Sequence, residues 1–173
     1  MTTVMEDLSQ MYSLRNISNQ DIQKMMRNCS AKVYRPGEII CKQGDPAKEA
    51  MLLVRGKLDV SVSSQHSKQQ VGKIHPGEIF GEQGLFIANK NRNATVKATE
   101  KSICIKIDPK VLKQSEQNPA MIALEKQLLI SMARRLRNTN QTIQKQWREE
   151  KPEPVESKEP QKFNLLYWFS QLF

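Results

Sequence analysis

All seven glycines of this chain lie between Gly37 and Gly84, and this window constrains the fold more than any other feature. Glycine marks tight turns and places where two backbone segments approach closely. In and around the window, short apolar segments show the alternation of half-buried strands, at residues 32–35, 39–42, 51–55, 58–62, 95–98 and 103–107. Many short strands separated by turns predict an antiparallel roll, barrel or sandwich.

A weak internal repeat lies inside the glycine window. The tetrapeptide Pro-Gly-Glu-Ile occurs at residues 36–39 and again at residues 76–79. A two-layer roll that uses the same corner chemistry twice would explain the repeat, and coincidence is the alternative.

A helix is predicted before the roll. Ser18 is placed to accept a hydrogen bond from the amide of Asp21, as an N-cap residue does. Ile17 and Ile22 flank this cap at the spacing of a hydrophobic staple.

Two helices are predicted after the roll. An Asp-Pro pair at residues 108–109 opens a short one, with Asp as the N-cap and Pro at the first helical position. A long helix follows, from about residue 118 to about residue 147. Its apolar positions step by three and four residues, which is the spacing of a heptad seam. The seam positions are Leu129, Met132, Leu136, Thr139 and Ile143. Two alternatives stay open: the seam joins two copies of the chain, or the helix packs on its own domain.

Composition excludes several classes of protein. The 173 residues suit one domain with extensions, and no apolar run approaches the ~20 residues that cross a bilayer. The first residues are acidic, unlike those of a signal peptide. Neither the cysteines nor the histidines have the spacing of a metal site or a disulfide framework. They are Cys29, Cys41, Cys104, His66 and His75. Reduced, buried thiols are therefore predicted. The sequence shows no catalytic constellation, and we predict a cytoplasmic protein that is not an enzyme.

Positive charge concentrates on the long helix. The chain has 27 Lys and Arg against 18 Asp and Glu, a net charge of +9, and residues 126–148 carry six basic side chains and no acidic one. Such a face can bind nucleic acid through counterion release, but it more often stays solvated or meets acidic groups of a partner. Nucleic acid is therefore not the expected partner.

The composition changes after the long helix. Residues 149–162 form a charged, proline-containing linker, and residues 163–173 carry five of the ten aromatic side chains. On a helix, the apolar side chains of this tail share one face. The tail therefore fits a membrane surface, a groove on a protein partner or the chain's own roll. The first alternative would place the protein at the inner face of a membrane.

Two neighbouring segments carry an anion-binding pattern. Gly81 and Gly84 bracket a short turn that can begin a helix and expose backbone N–H groups to an anion. Arg92 offers a guanidinium that matches two phosphate oxygens. A carboxylate only accepts hydrogen bonds, so Glu82 suits a sugar hydroxyl. The pattern fits the phosphate and ribose of a nucleotide; the alternative is that Glu82 and Arg92 pair with each other.

Residues 33–142 resemble a cyclic-nucleotide-binding domain. The sequence Gly-Glu-Gln-Gly-Leu-Phe at 81–86, with Arg92 before Ala-Thr, is similar to that family's phosphate-binding cassette, and closest to catabolite-activator-type bacterial receptors. Met-Ala-Arg-Arg-Leu at 132–136 resembles the dimer helix of those regulators. The resemblance implies a mainly β fold: an antiparallel β-roll (jelly roll) with N-terminal helices and a long C-terminal helix. It implies cyclic AMP or cyclic GMP as ligand and no cofactor.

The resemblance also implies roles around the phosphate and ribose. Glu82 would hold the ribose 2′-hydroxyl, and Arg92, assisted by Asn93, would neutralise the cyclic phosphate. Gly81 and Gln83 would present backbone amides near the ligand.

The resemblance places the base against the long helix. Thr139 and Asn140, from one or both subunits, would cap it, although Thr139 also occupies a seam position and Asn140 could be solvated. The full set of implied ligand-binding residues is Gly81, Glu82, Gln83, Gly84, Arg92, Asn93, Ala94, Thr139 and Asn140.

Three residues depart from the usual cassette. Gln83 replaces an apolar residue, Asn91 stands where many relatives have Pro, and Asn93 replaces a small Ala, Ser or Thr. None of these changes removes a group on which the implied ligand contacts depend.

The sequence predicts a stand-alone cytoplasmic receptor that prefers cyclic AMP to cyclic GMP. Too few residues follow the long helix for the DNA-binding domain of the transcriptional relatives. The ligand would select the arrangement in which the helix closes over the roll, and the helix would signal to a partner. A homodimer through residues 119–147 is expected. The alternative is a non-sensing adapter that uses the roll as a scaffold and acts through the basic helix and aromatic tail.

The predicted division of the chain has five parts. They are an N-terminal helical segment (1–30), the β-roll with the cassette (31–118), the long helix (119–148), the linker (149–162) and the tail (163–173).

Overall fold

A computed structural model describes residues 2–65, 67–87, 89–114 and 117–149. The chain divides into two compact units, one ending at Arg134 and the other beginning at Arg135. The helices and strands are α1 Thr2–Gln10, α2 Asn19–Arg27, β1 Ser30–Tyr34, β2 Ile39–Cys41, β3 Ala50–Arg55, β4 Leu58–Ser63, β5 Lys68–Ile74, β6 Ile79–Phe80, α3 Gln83–Phe86, β7 Thr95–Ala98, β8 Ser102–Ile107, α4 Pro109–Gln114 and α5 Pro119–Glu149.

The strands form two four-stranded antiparallel sheets. The first has the order β1-β8-β3-β6 and the second the order β2-β7-β4-β5. In the first sheet β3 pairs with both β6 and β8, and in the second β4 pairs with both β5 and β7. With helices before and after the sheets, the fold is the mainly β antiparallel roll that the sequence predicts.

Two apolar cores lie on opposite faces of the first sheet, and strand β3 contributes to both. Ala50, Leu52 and Val54 belong to a core shared with the helices. Met51 and Leu53 belong to a core shared by the two sheets. Because successive side chains of a strand point to opposite faces, β3 is buried on both sides, which explains its unbroken apolar sequence.

The sequence analysis did not predict two of the strands, β5 and β6. Strand β5 lies at the edge of the second sheet, and six of its seven residues are exposed. An exposed edge strand does not need apolar alternation, and its polar side chains and lysines also discourage pairing with other chains. Strand β6 has only two residues, too few for any periodicity.

The repeated Pro-Gly-Glu-Ile corner has the same structure at both places. Gly37 and Gly77 each have a φ of +87°. In each turn the glutamate carboxylate accepts a hydrogen bond from the backbone N–H three residues before it, at 3.0 Å in the first turn and 2.9 Å in the second. The positive φ explains the glycine and the side-chain bond explains the glutamate, so the shared chemistry, not coincidence, accounts for the repeat.

The predicted helix starts are confirmed. The Ser18 hydroxyl accepts from the amide of Asp21 at 3.1 Å, as an N-cap. Helix α4 begins at Pro109 as predicted, and helix α5 begins at Pro119, one residue after the predicted start. Asn118 caps α5, since its Oδ1 accepts from the amide of Ala120 at 2.8 Å.

Helix α5 buries one stripe of side chains, and the predicted seam lies on another. The buried positions are Ala120, Met121, Leu124, Leu128 and Ser131. On the seam, Leu129 is 66% exposed and Leu136 is 65% exposed. The seam is therefore available to a partner. The linker after Glu149 and the tail at 163–173 lie outside the described residues.

The described part of the chain contains neither a membrane-spanning helix nor a metal-binding cluster. None of its helices has the length and apolar character to cross a membrane. It holds no group of three or more His, Cys, Asp or Glu side chains arranged for a metal ion.

Candidate functional site

The first arm of the candidate site, residues 81–86, turns sharply after strand β6. Gly81 has a φ of +72°, and Glu82 (φ −56°, ψ −25°) leads into helix α3. The Gly84 amide donates to the Gly81 carbonyl at 3.1 Å, and the Leu85 amide donates to the Glu82 carbonyl at 2.9 Å. These bonds hold the arm as a short helical turn, as the glycine spacing predicts.

Neither glycine of the first arm has room for a side chain. A Cβ at Gly81 would overlap the Nη1 nitrogen of Arg92. A Cβ at Gly84 would lie 2.8 Å from the carbonyl carbon and oxygen of Ala47. At Gly84 the neighbouring backbone requires glycine. At Gly81 the positive φ favours glycine, and a Cβ would displace the end of the Arg92 side chain.

The second arm, residues 91–95, carries the guanidinium that the sequence singles out. Arg92 is 8% exposed, and its Nη1 donates to the carbonyl oxygen of Gly81 at 3.2 Å. That bond uses one of the five N–H donors of a guanidinium. A buried charge is costly unless charged or well-oriented polar groups compensate it. The arm thus holds a cation at a protected position next to the turn of the first arm.

A support loop, residues 43–49, fixes the second arm. The amide of Arg92 donates to the Asp45 carbonyl at 2.7 Å, and the Arg92 carbonyl accepts from the Gly44 amide at 2.9 Å. The Ala47 amide donates to the Lys90 carbonyl at 2.8 Å. The only local signal in the sequence of this loop is the Gly-Asp pair at residues 44–45, which is typical of a turn. The loop's role in the site was missed because backbone bonds between distant segments leave no residue pattern.

The side chains of Gln83 and Asn93 join the two arms. The Nδ2 of Asn93 donates to the Oε1 of Gln83 at 3.0 Å. The sequence places Asn93 beside the phosphate, whereas here its amide contacts Gln83. Glu82 is half-buried, and its Oε2 is shielded from solvent. The structure brings together seven of the predicted residues: Gly81, Glu82, Gln83, Gly84, Arg92, Asn93 and Ala94.

The two predicted base contacts lie on helix α5, in the second compact unit. Thr139 and Asn140 are exposed, and the Thr139 hydroxyl donates to the carbonyl of Arg135 at 3.0 Å. Both are open to solvent on the helix, and their contact with a base stays a prediction.

The pKa values of the three cysteine thiols lie above the value of a solvated thiol, which makes the thiols less reactive. Removal from water raises the pKa of Cys104 to about 12 and that of Cys29 to about 11. Burial also raises the pKa of Cys41, while the positive charge of Arg92 acts in the opposite direction. Cys104 is fully buried as predicted, but Cys29 and Cys41 are only partly buried. Protonated thiols are poor nucleophiles and poor metal ligands, so the raised pKa values disfavour both roles at neutral pH.

A separate cavity of about 360 Å³ lies beside the N-terminal segment. Residues 10–13 line it together with Val54, Pro76 and Gln127, and the Asp7–Arg55 ion pair, 2.6 Å long, forms part of its wall. None of the predicted ligand-binding residues lines this cavity. The arms and the cavity are thus two distinct places on the molecule.

Comparison with known proteins identifies the class of protein that this fold and cassette define. A family model described as "Cyclic nucleotide-binding domain" matches residues 31–117. The chain therefore belongs to the cyclic nucleotide-binding domain family. The matched region contains both arms and the support loop.

Particular relatives show how far the similarity extends. The "cAMP-dependent protein kinase regulatory subunit" of Dictyostelium discoideum is 30% identical over 107 residues, covering 60% of this chain and 32% of that protein. The "cAMP-activated global transcriptional regulator CRP" of Pasteurella multocida is 28% identical over 120 residues, covering 68% of this chain and 56% of that protein. The chain thus spans less than two thirds of either relative.

A solved structure agrees with the fold. A cyclic nucleotide-binding domain from Methylobacillus flagellatus matches with a TM-score of 0.67, covering 84% of this chain and 83% of that chain at 17% identity. At that identity the match concerns the fold alone.

Proposed function

We propose that this protein is a receptor for a cyclic nucleotide, that it prefers cyclic AMP to cyclic GMP, and that it binds its ligand without transforming it. Arg92 neutralises the cyclic phosphate, and Glu82 accepts a hydrogen bond from the ribose 2′-hydroxyl. The backbone of the first arm borders the phosphate. Thr139 and Asn140 cap the base.

The observation that carries the proposal is the burial of Arg92 beside Gly81. A guanidinium that is 8% exposed and donates to a neutral carbonyl gains further stabilisation from an anion. A phosphate offers two oxygens in the arrangement that the planar guanidinium matches. Glu82, next to Gly81 in the chain, adds an acceptor that repels a phosphate but suits a sugar hydroxyl.

The proposal also covers the choice of base and the route of the signal. The two relatives described above are named for cyclic AMP, whereas the "cGMP-dependent protein kinase 2" of Homo sapiens, 29% identical over 105 residues, is named for cyclic GMP, so the preference for cyclic AMP stays a prediction. The ligand selects the arrangement in which α5 closes over the roll, and it shifts that equilibrium by its differential affinity for the two states. A homodimer through residues 119–147 and transmission to a protein partner complete the proposal. The stand-alone character and the cytoplasmic location stay predictions.

Calorimetric titration with cyclic AMP and cyclic GMP tests the proposal. We expect saturable binding of both, tighter for cyclic AMP. Arg92→Gln removes the charge, and two charge-assisted hydrogen bonds contribute roughly 1.5–3 kcal/mol each, so affinity should fall about 100-fold or more. Arg35→Gln, which changes an exposed arginine outside the arms, is the matched control and should bind as the wild type does.

Two results would contradict the proposal. If the wild-type protein is folded by circular dichroism and takes up neither nucleotide, the adapter alternative replaces the receptor. If Arg92→Gln binds as tightly as the wild type, the ligand occupies a different place on the molecule.

A further inference from the structure

Two departures from the usual cassette sequence are in contact with each other. Gln83 replaces an apolar residue in the first arm and Asn93 replaces a small residue in the second, ten positions later. Their side-chain amides are hydrogen-bonded, with Asn93 Nδ2 donating to Gln83 Oε1 at 3.0 Å. The two replacements therefore form one structural feature, because an apolar side chain facing a small one could not make this bond.

This amide bond runs beside the bond made by Arg92. Arg92 donates to the carbonyl of Gly81 at 3.2 Å, and its neighbour Asn93 donates to Gln83, two residues further along the first arm. Two adjacent residues of the second arm thus each donate to the first arm. Together they fix the separation and the register of the arms near the guanidinium.

The fold itself gains little from the amide bond. The bond is exposed, and a neutral hydrogen bond in contact with water contributes a small net stabilisation because water competes for both groups. Its effect is larger on binding, because a ligand that meets an already ordered site does not lose free energy in ordering side chains and loops. Restraint of the arms before binding is therefore the role that fits its position.

We propose that Gln83 and Asn93 are positioning residues that hold the two arms at the separation at which Arg92 meets the anionic group of the ligand. The inference rests on the proposed function, since it assumes an anionic ligand between the arms. It assigns the pair to pre-organisation of the site and not to direct contact with the ligand.

A double-mutant cycle measured by calorimetry tests the pair. Gln83→Met keeps the length of the side chain without its amide, and Asn93→Ala removes the donor. Each should weaken cyclic AMP binding about threefold to tenfold, the range expected when one or two side chains must be ordered during binding. The double variant should bind no more weakly than the worse single variant, because both changes break the same bond.

Exchanging the two amides supplies a rescue. The combination Gln83→Asn with Asn93→Gln keeps one donor, one acceptor and the total side-chain length, and should recover most of the lost affinity. Gln70→Met, at an exposed glutamine on β5, is the matched control and should leave binding unchanged.

Hydrogen exchange in the ligand-free protein separates this inference from the proposed function. Breaking the pair should speed the exchange of backbone amides in residues 81–95 and leave the rest of the roll unchanged. Unchanged exchange overturns the inference even if the wild type binds no nucleotide. If the wild type does bind, additive losses, unaltered affinity or tighter binding by the single variants would each overturn it, the last because the pair would then obstruct the site.

Discussion

At the scale of single residues, Gly81 links backbone conformation to the position of the guanidinium. Its φ of +72° favours glycine, and any Cβ would displace Arg92. Gly81→Ala should therefore lower the free energy of unfolding by more than the roughly 1–2 kcal/mol of a left-handed alanine, and should also abolish most nucleotide binding. Denaturant unfolding and calorimetric titration measure the two effects.

Gly77 provides the control for that experiment. Its φ is +87°, but nothing lies within 4 Å of a Cβ built there. Gly77→Ala should carry the backbone strain alone and bind nucleotide normally. If both variants lose binding equally, the effect of Gly81→Ala comes from general destabilisation and not from displacement of Arg92.

The Cys104 thiol makes stability depend on pH in the alkaline range. Its pKa is about 12 in the folded protein against 9.0 for a solvated thiol, so the folded state favours the protonated form. This contribution to stability is complete below pH 9 and is lost as the pH rises from 9 towards 12, at no more than about 1.4 kcal/mol per pH unit.

Comparison of the wild type with Cys104→Ala isolates the thiol. Cys104→Ala should be the less stable protein at pH 7, and the difference between the two free energies of unfolding should shrink above pH 9. The pKa of Tyr34 is also raised to about 12, first by burial and then by the nearby Cys104 thiolate, so the difference between the two proteins includes this coupling. A constant difference between pH 7 and pH 10.5 would mean that the thiol does not ionise more easily on unfolding.

Sequence analysis found the site residues whose chemistry depends on a single residue. Arg92, Glu82 and the glycines stand out because charge, acceptor character and conformational freedom belong to the residue itself. The support loop and the Gln83–Asn93 bond were not found, since they arise where segments distant in the chain meet. Nothing in the local sequence indicates that an amide at 93 faces an amide at 83.

At the scale of helices and strands, local capping signals were the most reliable. The Ser18 cap depends on residues three positions apart, and the structure has the predicted bond at 3.1 Å. Strand β5 was missed because its exposed edge imposes no apolar pattern. A helix or strand is thus predictable when its own residues must cap a backbone amide or fill an apolar core. It is not predictable when it only adds an exposed edge to a sheet.

Loss of the Ser18 cap should destabilise the N-terminal helices. Ser18→Ala removes the acceptor for the Asp21 amide and should lower the free energy of unfolding by about 1 kcal/mol. Ser18→Thr keeps a hydroxyl at the cap and should lose much less. Thermal or denaturant unfolding checks both variants, and equal losses would show that the hydroxyl is not what stabilises the helix.

At the scale of the whole molecule, the family and the fold class are predictable from the sequence, whereas the exposure of side chains on α5 is known only from the structure. The heptad pattern indicates a seam but does not say what covers it. The structure assigns the packing stripe of α5 to Met121, Leu124 and Leu128, and leaves Leu129 and Leu136 exposed. Exposed apolar side chains at heptad spacing favour the two-chain alternative over packing on the chain's own domain.

The proposed dimer can therefore be broken at one seam position without touching the packed stripe. Leu136→Glu would bring two carboxylates together in an apolar seam, where the charges lose water and repel each other, so the protein should become monomeric in sedimentation velocity. Gln141→Glu adds the same charge to an exposed position outside the seam and should stay dimeric. If the partner subunit's Thr139 contacts the base, ligand binding and dimerisation are reciprocally coupled, and cyclic AMP should tighten the wild-type dimer. A wild type that is monomeric with and without cyclic AMP, or a dimer that survives Leu136→Glu, would rule out this helix as the subunit contact.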